Sequence, residues 1–342
     1  MDRQSRALAR SLTVTTHRDR LPDEPGQPAR PDVLTPVRLG PEDLPDLLAF
    51  LTICDTAVVG HADITEEEVH ADLRNPVVES YGWRDETGRL VGHGFAERIA
   101  DSDKVVIDVY VLPSHPDQDL GLEVLHFLEE RGRAVVAAAG KDSVYFDMGT
   151  YRQDLKTQEW LRSAGYESET SFERMRVDFD GPVDQPETPG VTVRRSDQNE
   201  DDLRAAHRID EGSFGQHYGQ VPVDLELYRY RLTEHGDDFS QLWLAEVDGE
   251  PVGLLIGNKR FEREQDAGYV SSLATLPAAR GKGVGKALLR AYFAAEQEAG
   301  RVAVLLHVDV ANVTGALAIY ESVGMRPVES ILAWAKREPL DA

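Results

Sequence analysis

The sequence predicts an α/β protein made of two tandem copies of one mixed-sheet domain. Three observations predict it: a self-similar series of motifs, a regular alternation of strand and helix signals, and a breaker-rich stretch dividing the chain. The series opens at Leu34-Thr35-Pro36-Val37-Arg38, a short strand before an apolar helix pattern with an acidic start, and returns as Val191-Thr192-Val193-Arg194-Arg195. A hairpin signal follows at Glu86-Thr87-Gly88-Arg89-Leu90-Val91-Gly92 and again at Asp248-Gly249-Glu250-Pro251-Val252-Gly253. Next come β-rich runs ending Val111-Leu112-Pro113 and Thr275-Leu276-Pro277, each leading through a loop into an amphipathic helix, Gly121 to Arg131 and Gly285 to Ala299. Each half then has a helix ending at a glycine, Ser163-Ala164-Gly165 and Ser322-Val323-Gly324. The offsets run from 157 to 164 residues, drifting only at loops. The expected layout is a flexible tail at 1–30, a first domain at 31–179, a Pro/Gly-rich linker at 180–190 and a second domain at 191–342.

Composition narrows the classes. Of 342 residues, 37 are Lys or Arg and 61 Asp or Glu, giving a net charge of −24 that argues against bulk nucleic acid as a partner. The same field gathers cationic small molecules such as amines. A 41% hydrophobic content supports real cores, while the longest apolar run, Ala134 to Ala139, is far shorter than the ~20 residues of a membrane span. The tail carries six arginines and four acids without an apolar stretch, so it is not read as a secretion signal. A single cysteine, Cys54, excludes an internal disulfide or a multi-thiolate metal site and fits a reducing, cytoplasmic setting. No close histidine pair has a helical ligand spacing, so no metal is expected.

Chemistry concentrates between Tyr269 and Leu289, which reads strand, glycine-rich turn, helix. Gly281, Gly283 and Gly285 strip side chains from the turn, so backbone N–H groups can converge on an anion at the start of the helix. Arg280, Lys282 and Lys286 add charge where a diphosphate would sit. A dinucleotide fingerprint would need glycine at Lys286, and a nucleoside-triphosphate P-loop would need glycine at Arg280 and a hydroxyl at Ala287. Neither fits.

Arg280-Gly281-Lys282-Gly283-Val284-Gly285, after a strand ending at Pro277, resembles the acetyl-CoA loop of the GNAT N-acetyltransferase superfamily. The strand Leu305 to Val310, then Asn312, then Tyr320 before Gly324, resembles that family's next strand and closing helix. The tandem layout, with Ala206-His207 through Gly219, resembles the mycothiol synthase branch and its relatives. The resemblance implies two tandem GNAT-like domains, each a mixed, mostly antiparallel central sheet with helices on both faces. It implies acetyl-CoA as donor, held by backbone groups at Leu273, Ala274 and Thr275, by the 280–286 loop including Val284, and by Asn312. It also implies Tyr320 as the acid that protonates the leaving sulfur, with direct attack by the amine. The mycothiol synthase-like pattern carries a glutamate where this chain has Tyr269, which leaves the base open among Glu211, His217, His307, Asp309 and a water ordered by Ser271 or Ser272.

Comparison of the halves needs no family knowledge. With Leu112-Pro113 laid on Leu276-Pro277, Pro116, Asp117, Gln118 and Asp119 stand opposite Arg280, Gly281, Lys282 and Gly283, and only Gly121 survives opposite Gly285. Leu161 stands opposite Tyr320. Carboxylates repel a diphosphate and proline lacks a donor, so the first half is expected to keep the fold and to have lost cofactor binding. The expected protein acetylates a primary amine of a small molecule with its second domain, as a monomer (a pseudo-dimer of domains) or a homodimer, without a membrane partner. Acetylation of a protein or peptide, and a non-catalytic CoA-binding sensor, are the alternatives.

Overall fold

The computed structural model describes residues 34–75, 77–99, 101–115, 119–214, 224–234, 239–310 and 316–340. The tail expected at 1–30 lies outside them. The first half runs β1 (Pro36–Arg38), α1 (Leu44–Val59), α2 (Glu66–Arg74), β2 (Val78–Arg84), β3 (Leu90–Arg98), β4 (Lys104–Val111), α3 (Leu120–Ala138), β5 (Ser143–Tyr151), α4 (Leu155–Ser163) and β6 (Glu167–Asp178). The second half repeats that series as β7 (Thr192–Arg195), α5 (Glu200–Phe214), α6 (Leu225–Glu234), β8 (Leu242–Val247), β9 (Glu250–Asn258), β10 (Ala267–Thr275), α8 (Val284–Glu298), β11 (Ala303–Asp309), α9 (Ala316–Ser322) and β12 (Arg326–Pro339), with one added turn of helix, α7 (Glu262–Gln265), before β10. The fold is α/β with mixed, mostly antiparallel sheets, as the sequence predicts.

The chain forms two compact units that do not coincide with its two halves. Among the described residues, unit 1 comprises 34–171 and 331–340, and unit 2 comprises 172–330. Unit 1 has the strand order β1-β2-β3-β4-β5-β12, antiparallel except between β4 and β5. Its last strand comes from the end of the chain: Ile331 to Pro339 pair with Tyr151 to Ser143, and the Trp334 indole N–H donates to Thr150 Oγ1 at 2.9 Å. Unit 2 has the order β6-β11-β10-β9-β8-β7, antiparallel except between β10 and β11. Its closing strand comes from the first half, with Phe172 to Asp178 paired against Asp309 to Ala303. The boundary expected at the 180–190 linker therefore falls inside unit 2. Period-two alternation tells which face a strand buries but not which sheet it joins.

Unit 2 places helices on both faces. Val284, Leu288 and Tyr292 of α8 pack with Val304, Leu306, Val308 and Tyr320 on one face, and Leu203, Ala206 and Ile209 of α5 pack with Leu244, Leu254 and Ile256 on the other. In unit 1, Gly94 lets α3 approach the sheet, because a Cβ there would lie 2.6 Å from Leu128 Cδ1. No helix among the described residues is long and apolar enough to cross a membrane.

Candidate active site

The glycine turn expected between β10 and the next helix is present and leads directly into α8. A single helical turn at Pro277–Ala279 leads out of β10, and Arg280 is extended. Gly281 and Gly283 then take φ of +79° and +83°, the left-handed region that other residues enter at a cost. Gly283 caps α8 without any side chain, and the first turn of the helix carries no acid. The N–H groups of Val284, Gly285 and Lys286 therefore lack helical acceptors, at the positive end of the helix dipole. Val284 anchors this end: a Cβ on Gly253 of β9 would lie 2.4 Å from its Cγ1, so the bare glycine lets the helix start against the sheet. Arg280, Lys282 and Lys286 are exposed and form no ion pair among the described residues. Beside them, among the described residues, a Cβ on Gly285 would meet only Ile319 Cγ2 and Leu273 Cδ2, both at 3.9 Å.

The neighbouring strands part. β10 and β11 pair in parallel only from Ala267↔Ala303 to Val270↔Leu306, although β10 continues to Thr275 and β11 to Asp309. A bulge between Val270 and Ser272 turns β10 at that point while its antiparallel pairing with β9 resumes through Leu273, Ala274 and Thr275. The second edge of β10 at these three residues has no strand partner among the described residues. Ser271 at the bulge donates its hydroxyl to the Ile256 carbonyl at 3.2 Å, and its oxygen can still accept a further hydrogen bond.

Tyr320 of α9 is buried against the α8 face, and its hydroxyl forms no hydrogen bond among the described residues. Burial, with a further push from Tyr269, raises this phenol to about 12, so it stays protonated at neutral pH. Gly324, at φ +90°, ends the helix, and the Met325 N–H donates back to the Tyr320 carbonyl at 3.1 Å.

The other expected residues divide. His307 stands on β11 one residue past the last rung shared with β10, and Asp309 follows on the same face. Glu211 sits at the end of α5, half-buried; its neighbour Gly212 lies over the end of β10, where a Cβ would be 2.8 Å from Leu276 Cδ2. His217 and Asn312 lie outside the described residues.

A chain of contacts around His307 goes beyond what sequence reasoning found. Tyr269 Oη and His307 Nδ1 are 2.9 Å apart, and Arg174 Nε donates to His307 Nε2 at 3.1 Å. Arg174 is almost wholly buried and also bridges to Glu329 at 2.7 Å. Phe261 packs edge-on to Tyr269 and lies between the Arg174 and Arg260 guanidiniums at 5.4 and 5.2 Å. Burial first, then Arg174 and Arg260, holds the imidazole well below its usual range, so it is neutral at physiological pH. Arg174 and His307 are 133 residues apart, and only the β6–β11 pairing makes them neighbours.

The Acetyltransferase (GNAT) family profile matches residues 203–325. A mycothiol acetyltransferase of Thermomonospora curvata is 32% identical over 242 residues, spanning 70% of this chain and 76% of the relative. Among solved structures, a GCN5-related N-acetyltransferase from Sphaerobacter thermophilus superposes with a TM-score of 0.78 at 22% identity, over 92% of this chain and 98% of that one. A tandem GNAT protein from the clavulanic acid biosynthesis pathway superposes with a TM-score of 0.69 at 13% identity, over 91% and 99%. At those identities the two structures speak for the fold.

Proposed function

The chain belongs to the GNAT family of acetyltransferases, and from that premise we propose that unit 2 moves an acetyl group from acetyl-CoA to a primary amine of a small molecule. The single observation that carries this reading is the bare helix start at Gly283, ringed by Arg280, Lys282 and Lys286 and adjoining the parted edge of β10. Its donors suit a diphosphate, and the unpaired edge at Leu273 to Thr275 suits the amides of a pantetheine arm. Tyr320, protonated and buried on the neighbouring helix, suits the departing thiolate. Asn312 belongs to this proposal through the family resemblance. The name of the Thermomonospora curvata relative supports a small-molecule acceptor. Tyr269 in place of a glutamate argues for testing a broad set of small amines rather than one.

Unit 1 serves this reading as scaffold, without a donor of its own. Calorimetry of acetyl-CoA binding tests both parts. The wild type should bind one equivalent, and the double variant Arg280→Glu, Lys282→Glu should bind about 10- to 100-fold more weakly, as expected for reversing two charge-assisted contacts. Unchanged affinity in the double variant would remove the loop from the account.

A further inference from the structure

The contacts around His307 fix where protons reside. A guanidinium only donates, so His307 Nε2, which receives the Arg174 Nε–H, carries the lone pair. A neutral ring then has its proton on Nδ1, and that N–H donates to Tyr269 Oη at 2.9 Å. His307 is therefore not available as a base: one nitrogen is engaged by a cation and the other already holds a proton. Tyr269, by contrast, is an acceptor in this bond, an arrangement that favours a phenolate over a phenol.

We propose that Tyr269, as its phenolate, is the base that takes the proton from the attacking amine, with His307 and Arg174 as positioning residues that hold and polarise it. The proposal rests on the acetyl-transfer reading of unit 2. Tyr269 stands at the last rungs shared by β10 and β11, where the strands part beside the edge assigned to the donor. The charged and titratable groups around it come from several elements. His307 comes from β11, Arg174 from β6, Arg260 from the turn after β9 and Tyr320 from α9, with Glu329 of β12 offsetting part of the Arg174 charge. From α5, Gly212, the neighbour of Glu211, lies over the end of β10.

The two tyrosines divide the work. Burial first, and then Tyr269, hold the Tyr320 phenol up at about 12, so Tyr320 keeps its proton for the leaving sulfur. In the step itself the amine nitrogen bonds to the thioester carbonyl carbon and its proton passes to Tyr269 Oη. The C–S bond then breaks and the Tyr320 proton goes to sulfur. Return of the proton from Tyr269 to Tyr320 through solvent restores both, and the products are an amide and a free thiol.

The experiment has three readouts. Tyr269→Phe should lower kcat by about 100-fold or more with acetyl-CoA affinity unchanged. Arg174→Gln should move the acid limb of kcat/KM to higher pH, because the phenolate loses its support, with rate recovering as pH rises. Where that variant does not fold, 3-fluorotyrosine at position 269, nearly isosteric and more acidic, should move the same limb to lower pH. Nitrogen NMR of the wild type should show His307 neutral with its proton on Nδ1. A Tyr269→Phe enzyme within about threefold of wild-type turnover, or His307 protonated on Nε2, would overturn the assignment. Wild type that binds no acetyl-CoA would sink the acetyl-transfer reading along with it, whereas a binding, active Tyr269→Phe enzyme sinks this assignment alone.

Discussion

α8 in unit 2 and α3 in unit 1 begin at the same point of the repeat, yet their surroundings are opposites. α8 starts at a left-handed glycine with exposed cations and no acid in its first turn. α3 starts at Asp119 with Glu123 in its first turn, so carboxylates already meet the positive end of the helix. The space beside the shared glycine differs as well. A Cβ on Gly121 would lie 2.2 Å from Trp160 Cζ3, whereas among the described residues a Cβ on Gly285 would meet the counterpart Ile319 at an ordinary 3.9 Å. The strand below differs too: β4 pairs with β3 in unbroken register from Val105 to Val111, without the bulge that turns β10. What persists is what the fold requires, such as the left-handed glycines Gly165 and Gly324 ending α4 and α9 at φ +85° and +90°. What differs is the start of the helix, acidic in unit 1 and free of acids in unit 2.

The largest expected effect separates Tyr320 from Leu161, its counterpart. Tyr320→Phe should lower turnover by about 100- to 10,000-fold while acetyl-CoA affinity, read by calorimetry, stays near wild type. Since burial holds the Tyr320 phenol up at about 12, its acid form persists through neutral and mildly alkaline pH. The alkaline limb that this group contributes should lie well above pH 9 in rough terms. An unaltered rate in Tyr320→Phe would make the two positions equivalent after all.

A smaller effect is expected from importing the plug. Ile319→Trp places in unit 2 the ring that fills unit 1, and acetyl-CoA affinity should fall by about tenfold or more through lost pocket volume. Normal affinity with a folded protein would show that the indole is not what closes the first groove.

The corners that join the first strand to the first helix differ more quietly. In unit 2, Asp202 is buried and accepts from both terminal nitrogens of Arg194, from Ser196 Oγ and from the Asp197 N–H. The Arg194 contact, followed by those backbone and hydroxyl bonds, holds Asp202 below the usual carboxylate range. A lowered folded value stabilises above the unfolded one of 3.8, and that contribution is lost as pH falls through the folded value. Asp202→Asn should therefore cost about 1–3 kcal/mol at neutral pH and flatten the acid end of the stability curve. Unit 1 ties its first helix from another strand: Arg84, at the end of β2, pairs with Asp46 of α1, which is largely exposed. Asp46→Asn should move stability by less than about 1 kcal/mol. Equal losses at the two sites in denaturant titrations would erase the contrast.

The repeat was legible in the sequence because its markers are local: a hairpin turn, a strand ending in proline, a glycine closing a helix. The glycine turn was legible for the same reason, since Arg280 to Lys286 are contiguous and the left-handed glycines need no distant partner. Arg174 was not, because its bond to His307 exists only through the pairing of two strands far apart in the chain. Tyr269 stood out as a departure from a pattern, but its place beside His307 required the register of β10 and β11. The destination of the closing strands was illegible too, because side-chain alternation reads the same in either sheet.

That destination has a consequence for how the polypeptide comes into being. Among the described residues β5 takes its outer neighbour from residues 331–339, so during synthesis that edge of the first half stays open until those residues emerge from the ribosome. A protease nick between residues 180 and 190 would leave two fragments that each hold a strand the other needs. Each sheet is completed by a strand from the other half of the sequence, so cutting the chain in two divides both sheets.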